Sequence, residues 1–254
     1  MKIALFSDVH ANMPALKSVL EHMEKEQIDQ LYCLGDLVGY APFPNEVVAE
    51  IRKRRISTIA GNHDEAIGFS LPDDGNRYQI KEGMKSGAIS KSLTNQLITP
   101  DHRAYLKGLP RHLTLEFQQG EEQINLLLVH GSPRKINEYL FEEHDEADLI
   151  QLMTERSVHI MAFGHTHKPF HKVLHKGDRG FLHAINTGSV GKPKDGNPHA
   201  CYVQIEFDDS TTLTQPEGLK VDFIRVPYQL EQVANAIEAG DFPNEYADML
   251  RKAY

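Results

Sequence analysis

The first sixty residues constrain the fold most, because three apolar, β-prone runs alternate there with helical patterns. The runs are "KIALFS" (2–7), "LYCLG" (31–35) and "ISTIA" (56–60). Between the first two, Ala15, Leu16, Val19, Leu20 and Met23 share one face of a helix predicted over Pro14–Glu26. Asn12 is placed to cap it, and Pro14 suits its first turn. A second helix is predicted over Glu46–Arg54. This βαβαβ order implies a parallel sheet with right-handed crossovers.

Downstream, helices are expected between Arg77 and Leu109, as an insert at about 70–110. The strand-like segments "HLTLEF" and "INLLLVH" follow, then a helix in "DEADLIQLMTERS" and a strand in "VHIMAFG". The segments from "FHKVLH" to about Pro227 read as largely antiparallel, and two short helices close the chain at about 230–252. No linker or repeat divides the sequence, so one domain spanning 1–254 is expected.

Five of the apolar runs end in a glycine or turn followed at once by metal-capable side chains. They are "FSDVH", "CLGDLVG", "IAGNHDE", "LLVHGSP" and "AFGHTHKP". In an open α/β sheet, ligands bind beyond the carboxyl ends of the strands. The five clusters are therefore expected to converge on one sheet edge. Each alone is commonplace: Asp-x-His is frequent, Asn-His is a turn dipeptide, and a single His after a strand is usually a packing residue. Their joint, ordered recurrence is much harder to attribute to packing.

Composition narrows the chemistry further. The chain has 254 residues and a formal charge of −9, from 27 basic and 36 acidic side chains. That balance argues against a general grip on nucleic acid. No apolar stretch is long enough to span a bilayer and no secretory pattern opens the chain, so a cytoplasmic location is expected. Cys33 and Cys201, the only two cysteines, lie in apolar strand contexts and read as buried free thiols. A cysteine-ligated structural metal is excluded by that count. Of the 14 histidines, those outside the clusters (His22 and His183 among them) read as surface or packing residues.

The ordered set resembles the calcineurin-like metallophosphoesterase superfamily, and its tail resembles a bacterial branch of it. The motifs are Asp8-Val9-His10, Gly35-Asp36, Gly61-Asn62-His63-Asp64, His130 and Gly164-His165-Thr166-His167. The resemblance implies an αββα sandwich of two mixed β-sheets flanked by helices. It also implies two divalent metal ions about 3.5–4 Å apart. Asp8, His10 and His167 would hold the first ion, and Asn62, His130 and His165 the second. Asp36 would bridge them. Manganese is the first expectation, with iron, zinc, nickel or cobalt as alternatives.

The implied reaction is attack on phosphorus by a metal-bridged hydroxide, with His63 protonating the leaving group and Asp64 orienting the His63 ring. Taken alone, His63-Asp64 reads equally as a helix-start cap. Asn62, His63 and Tyr40 would meet the substrate. The protein-phosphatase and symmetrical diadenosine tetraphosphatase members carry an arginine in "GDxVDRG", where this chain has Gly39-Tyr40 in "GDLVGYA". Tyr40 could stack on a base, line the pocket mouth, or pack against Pro42 or Pro44. Arg77, Lys81 and Arg134 are candidate phosphate contacts, and the helical insert is a candidate roof.

A small phosphodiester or a nucleotide-type phosphomonoester is therefore the expected substrate. A protein phosphatase or dinucleoside polyphosphate hydrolase is the enzymatic alternative. A non-catalytic binding scaffold of the same fold is the alternative of another class.

Overall fold

The computed structural model describes residues 1–71, 81–119, 122–177 and 180–254. The three N-terminal runs form β1 (Lys2–Phe6), β2 (Gln30–Cys33) and β3 (Ser57–Thr58), with α1 (Met13–Lys25) and α2 (Pro44–Lys53) as crossovers. These strands are parallel. They join β9 (Ala200–Glu206) and β10 (Lys220–Val226) in a sheet of order β10-β9-β1-β2-β3. Asn12 caps α1 by accepting from the Ala15 N–H at 3.1 Å, and Ala15, Leu16, Val19, Leu20 and Met23 are its buried face.

The second sheet has the order β4-β5-β6-β8-β7. Its strands are β4 (His112–Gln119), β5 (Glu122–Val129), β6 (Ile160–Phe163), β7 (Phe170–His175) and β8 (Phe181–Asn186). The C-terminal half is less antiparallel than the sequence suggests. β7 pairs antiparallel with β8, and β9 with β10, but β8 runs parallel to β6, which runs parallel to β5. β9 crosses to the first sheet and lies antiparallel to β1.

Side-chain alternation stacks the layers. Ile3 and Leu5 of β1 meet Leu126 and Leu128 of β5 and Ile160 of β6 between the sheets. The alternate residues of β1, Ala4 and Phe6, face α1 and α2. Leu127, Val129, Met161 and Phe163 face α6 (Glu146–Glu155) on the other side. The result is the expected helix–sheet–sheet–helix sandwich. Cys33 and Cys201 are buried and free.

Five further helices surround the edge where the parallel strands end. They are α3 (Asn62–Gly68), α4 (Lys81–Leu97), α5 (Pro100–Lys107) and the pair α7 (Leu230–Glu238) and α8 (Glu245–Lys252). Among the described residues no helix is long and apolar enough to cross a membrane.

Candidate metal centre

The carboxyl ends of β1, β2, β3, β5 and β6 deliver the five polar clusters to one rim, and direct backbone ties hold the loops together. The Asp8 N–H donates to Gly35 O at 2.9 Å, His10 N–H to Asp36 O at 2.9 Å, and Gly164 N–H to His130 O at 2.9 Å. Backbone strain concentrates here. Asp8, His10, Asp36, Tyr40, His165 and His167 all have φ between 47° and 65°, a left-handed region that non-glycine residues rarely occupy. Glycine is required where the loops touch. A Cβ on Gly164 would lie 2.5 Å from Asp8 Oδ2, and one on Gly61 2.0 Å from Asp36 Oδ1.

The expected donors meet. Asp8, His10 and His167 bring ligand-capable atoms within 4.8 Å of one another, as do Asp36, His130 and His165, and all six residues are buried. Asn62 is buried at the start of α3, 3% exposed. Asp36 reaches both groups: its Oδ2 is 3.3 Å from His130 Nε2 and 3.7 Å from His10 Nε2. His63 stands within the same span of His10 and Asp36.

Backbone carbonyls set the histidine tautomers. The Nδ1–H groups of His10, His130 and His167 donate to Val38 O (3.1 Å), Leu34 O (2.8 Å) and Lys192 O (2.5 Å). Each ring therefore turns its Nε2 inward, the arrangement by which metal-binding imidazoles are oriented. His10 Nε2 and His167 Nε2 are 3.1 Å apart, so two lone pairs face each other unless a cation lies between them. Asp8 Oδ1, His130 Nε2 and His165 Nε2 are buried and lack a hydrogen-bond partner. Such atoms cost roughly 1–3 kcal/mol each when left unsatisfied. A divalent metal satisfies all of them, and the mixed nitrogen and oxygen donors suit a transition metal.

The charges point the same way. Burial opposes ionisation of Asp8 and Asp36, but neighbouring imidazoles outweigh it and hold both carboxyls below the usual range. Burial would lower His130, yet Asp36 and Asp8 push it up to about 10. It thus carries a proton where a metal would put positive charge. Burial, then the charge of His130, lowers His165 to about 3. Burial, then Lys194, holds His167 well below its ordinary value.

Other expectations land differently. Asp64 Oδ1 accepts from the Leu37 N–H (2.9 Å) and Oδ2 from the Gly61 N–H (3.0 Å). Both oxygens thus tie α3 to the Asp36 loop, where an orienting contact to the His63 ring was expected. Burial and the Asp36 charge push this carboxyl up to about 7.

Tyr40 stands among other rings. Its ring lies 4.6 Å from His10, 4.9 Å from His63 and 5.1 Å from Tyr246 of α8, with Lys192 Nζ 5.2 Å from its centre. This makes it a wall of the rim. Ser90 of α4 accepts from the Tyr40 N–H at 2.8 Å, so the insert braces that wall. Arg134 spends its fork on Asp148 (2.7 Å to each oxygen) and Glu138 (2.7 Å), leaving it poorly placed as a phosphate contact. Arg77 and the Lys81 side chain fall outside the described residues.

A sixth strand end escaped the sequence reasoning. After β8, Ser189 Oγ–H donates to Asp8 O at 2.8 Å, Gly191 N–H donates to the same oxygen at 2.9 Å, and Lys192 O orients His167. The segment supplies no metal-type side chain, so a search for ligands passes over it. The available signal was another apolar run breaking into glycine, "INTGSVGKPK". It also carries Lys194, which is anchored by its N–H to His167 O at 3.2 Å. Burial lowers the Lys194 ammonium, and Asp8 and Asp36 partly restore it, which places the cation in the field of the centre.

The family model described as "Calcineurin-like phosphoesterase superfamily domain" matches residues 1–210. The chain belongs to that superfamily. It is 30% identical to an uncharacterized protein of Methanocaldococcus jannaschii, over 98% of this chain and 96% of the relative. It is 26% identical to phosphodiesterase YfcE of Escherichia coli, over 82% of this chain and 89% of that one. A solved metallophosphoesterase from Sphaerobacter thermophilus superimposes with a TM-score of 0.72 at 27% identity, covering 100% of this chain and 99% of the other. A family of metal-dependent phosphoesterases thus shares the sandwich, and the His/Asp groups of this chain lie where its strands end.

Proposed function

We propose that the protein hydrolyses a small phosphodiester or nucleotide-type phosphomonoester at a two-metal centre. The observation that carries this is the convergence of inward-facing Nε2 atoms and two carboxylates in a buried cluster where Asp8 Oδ1, His130 Nε2 and His165 Nε2 lack hydrogen-bond partners. Asp8, His10 and His167 hold one ion, Asn62, His130 and His165 the other, and Asp36 lies between. When bound, such ions bring the pKa of water near neutrality and draw charge from phosphoryl oxygens.

The chain does the rest. Its strained loops fix donor positions before substrate arrives, so little reorganisation is needed during reaction. Lys194 attracts the phosphate and Tyr40 bounds the rim. His63, held by its N–H to Asp36 Oδ1 at 2.8 Å, donates a proton to the departing oxygen. The likeness to a phosphodiesterase supports diesters among the substrates, and the absence of the Asp-Arg pair at Gly39-Tyr40 weighs against phosphoproteins.

Elemental analysis, coupled to a screen of bis-nitrophenyl phosphate, nucleotides and phosphopeptides across divalent metals, tests this. Two bound ions and turnover of small esters are expected, with Asp36→Asn losing metal. Exclusive turnover of phosphopeptides would overturn the substrate class. A protein that takes up no metal and hydrolyses nothing with manganese supplied would favour the scaffold instead.

A further inference from the structure

On the side of the centre away from Tyr40, a second set of rings leads outward. His165 is 3% exposed, and the ring of Tyr139 packs on it at 4.3 Å. Phe141 then lies nearly parallel to Tyr139, at 5.8 Å and 12°. Phe141 is 40% exposed, one of the few large apolar side chains left open among the described residues. Exposure thus rises from the innermost ring to the outermost, and the outermost is a flat apolar face beside a charged, buried centre. Neither Tyr139 nor Phe141 has a part in holding metal or moving a proton.

We propose that the Tyr139–Phe141 stack is a shelf for the base of a nucleotide-type phosphoester. This deepens the phosphoesterase reading and rests on it. A phosphoryl group over His165 would have its sugar beside Tyr139 and its base over Phe141. Every base has a π-face, so an aromatic shelf gains affinity without base-specific hydrogen bonds. The rings contribute planar apolar area and no charge, which favours a base over a second phosphate. Arg134, the guanidinium of this loop, is already committed to Asp148 and Glu138.

The chain contains no tryptophan, so Phe141→Trp installs a single indole at the shelf. In manganese-loaded protein, AMP should quench that indole saturably and ribose phosphate should not. As competitors of bis-nitrophenyl phosphate hydrolysis by the wild type, AMP should bind about tenfold more tightly than ribose phosphate, the order expected of one base–aromatic stack. Phe141→Ala should erase that ratio by weakening AMP.

A ratio near one in the wild type, or a preference that survives Phe141→Ala, would overturn the shelf. The two readings fail separately. Saturable quenching by AMP in a protein that hydrolyses no ester keeps the shelf and sinks the hydrolase, whereas hydrolysis without base preference does the reverse.

Discussion

His63 lies in the first turn of a seven-residue helix, its N–H is fixed by Asp36, and its ring lies edge-on to His10 at 5.1 Å. A proton donor there matters most when the leaving oxygen is basic. His63→Ala should therefore keep both metals and lose about a hundred- to ten-thousandfold in kcat on alkyl esters, with a much smaller loss on nitrophenyl esters. Paired kinetics with metal stoichiometry check this, and equal losses on both esters would remove the acid role.

His183, assigned to packing from sequence, is wholly buried on β8, and its Nδ1 lies 2.9 Å from His171 Nε2. Burial, and then His171, pushes its pKa to about 4, against 6.5 for an ordinary histidine. Between those values the unfolded chain binds a proton that the native state does not, so stability rises with pH across that window. Falling from pH 6.5 to 4 should cost at most ~3 kcal/mol through this group. Denaturant titrations should show His183→Gln flattening that slope.

At the scale of elements, the five strand ends were legible because each apolar run stops at a glycine or turn followed by a ligand-type side chain. The helix that follows the third showed only as a possible cap at His63-Asp64. β3 has two residues and α3 seven, too few for periodicity to register. Asp64 is the N3 residue of that helix: it caps the local Gly61 N–H, and its other partner, the Leu37 N–H, comes from a loop that only the fold brings near. Asp64→Ala should leave those buried donors unpaired and destabilise the protein by about 1–3 kcal/mol. Metal occupancy should fall as the Asp36 and Asn62 loops separate. Thermal melts and metal analysis test it. Full occupancy with unchanged stability, but a lost acidic limb in the rate profile, would restore Asp64 to the His63 ring.

For the whole molecule, metal and protons compete for one cavity. Burial pulls His130 down, but Asp36 and Asp8 hold it at about 10 in the metal-free chain. The stability given by that proton is complete below pH 6.5 and declines as pH rises through the folded value. A metal must displace the proton, so its affinity should increase over the same range. The rise in melting temperature on adding manganese should therefore be larger at pH 8.5 than at 6.5, by scanning calorimetry at fixed free metal. An increment independent of pH would show that His130 is not displaced.

The identity of the donors, their order along the chain and their places at strand ends followed from the sequence alone. Local rules produce that pattern: an apolar run makes a buried strand, glycine breaks it, and the next polar side chain sits at its tip. The direction of β8, the bracing of Asp8 and His167 by the Ser189–Lys192 segment, and the commitment of Arg134 to carboxylates came only with the tertiary structure. Those features depend on backbone carbonyls and N–H groups that every residue carries. Their partners lie as far as 181 positions apart, as between Ser189 and Asp8, and no residue type marks them in advance.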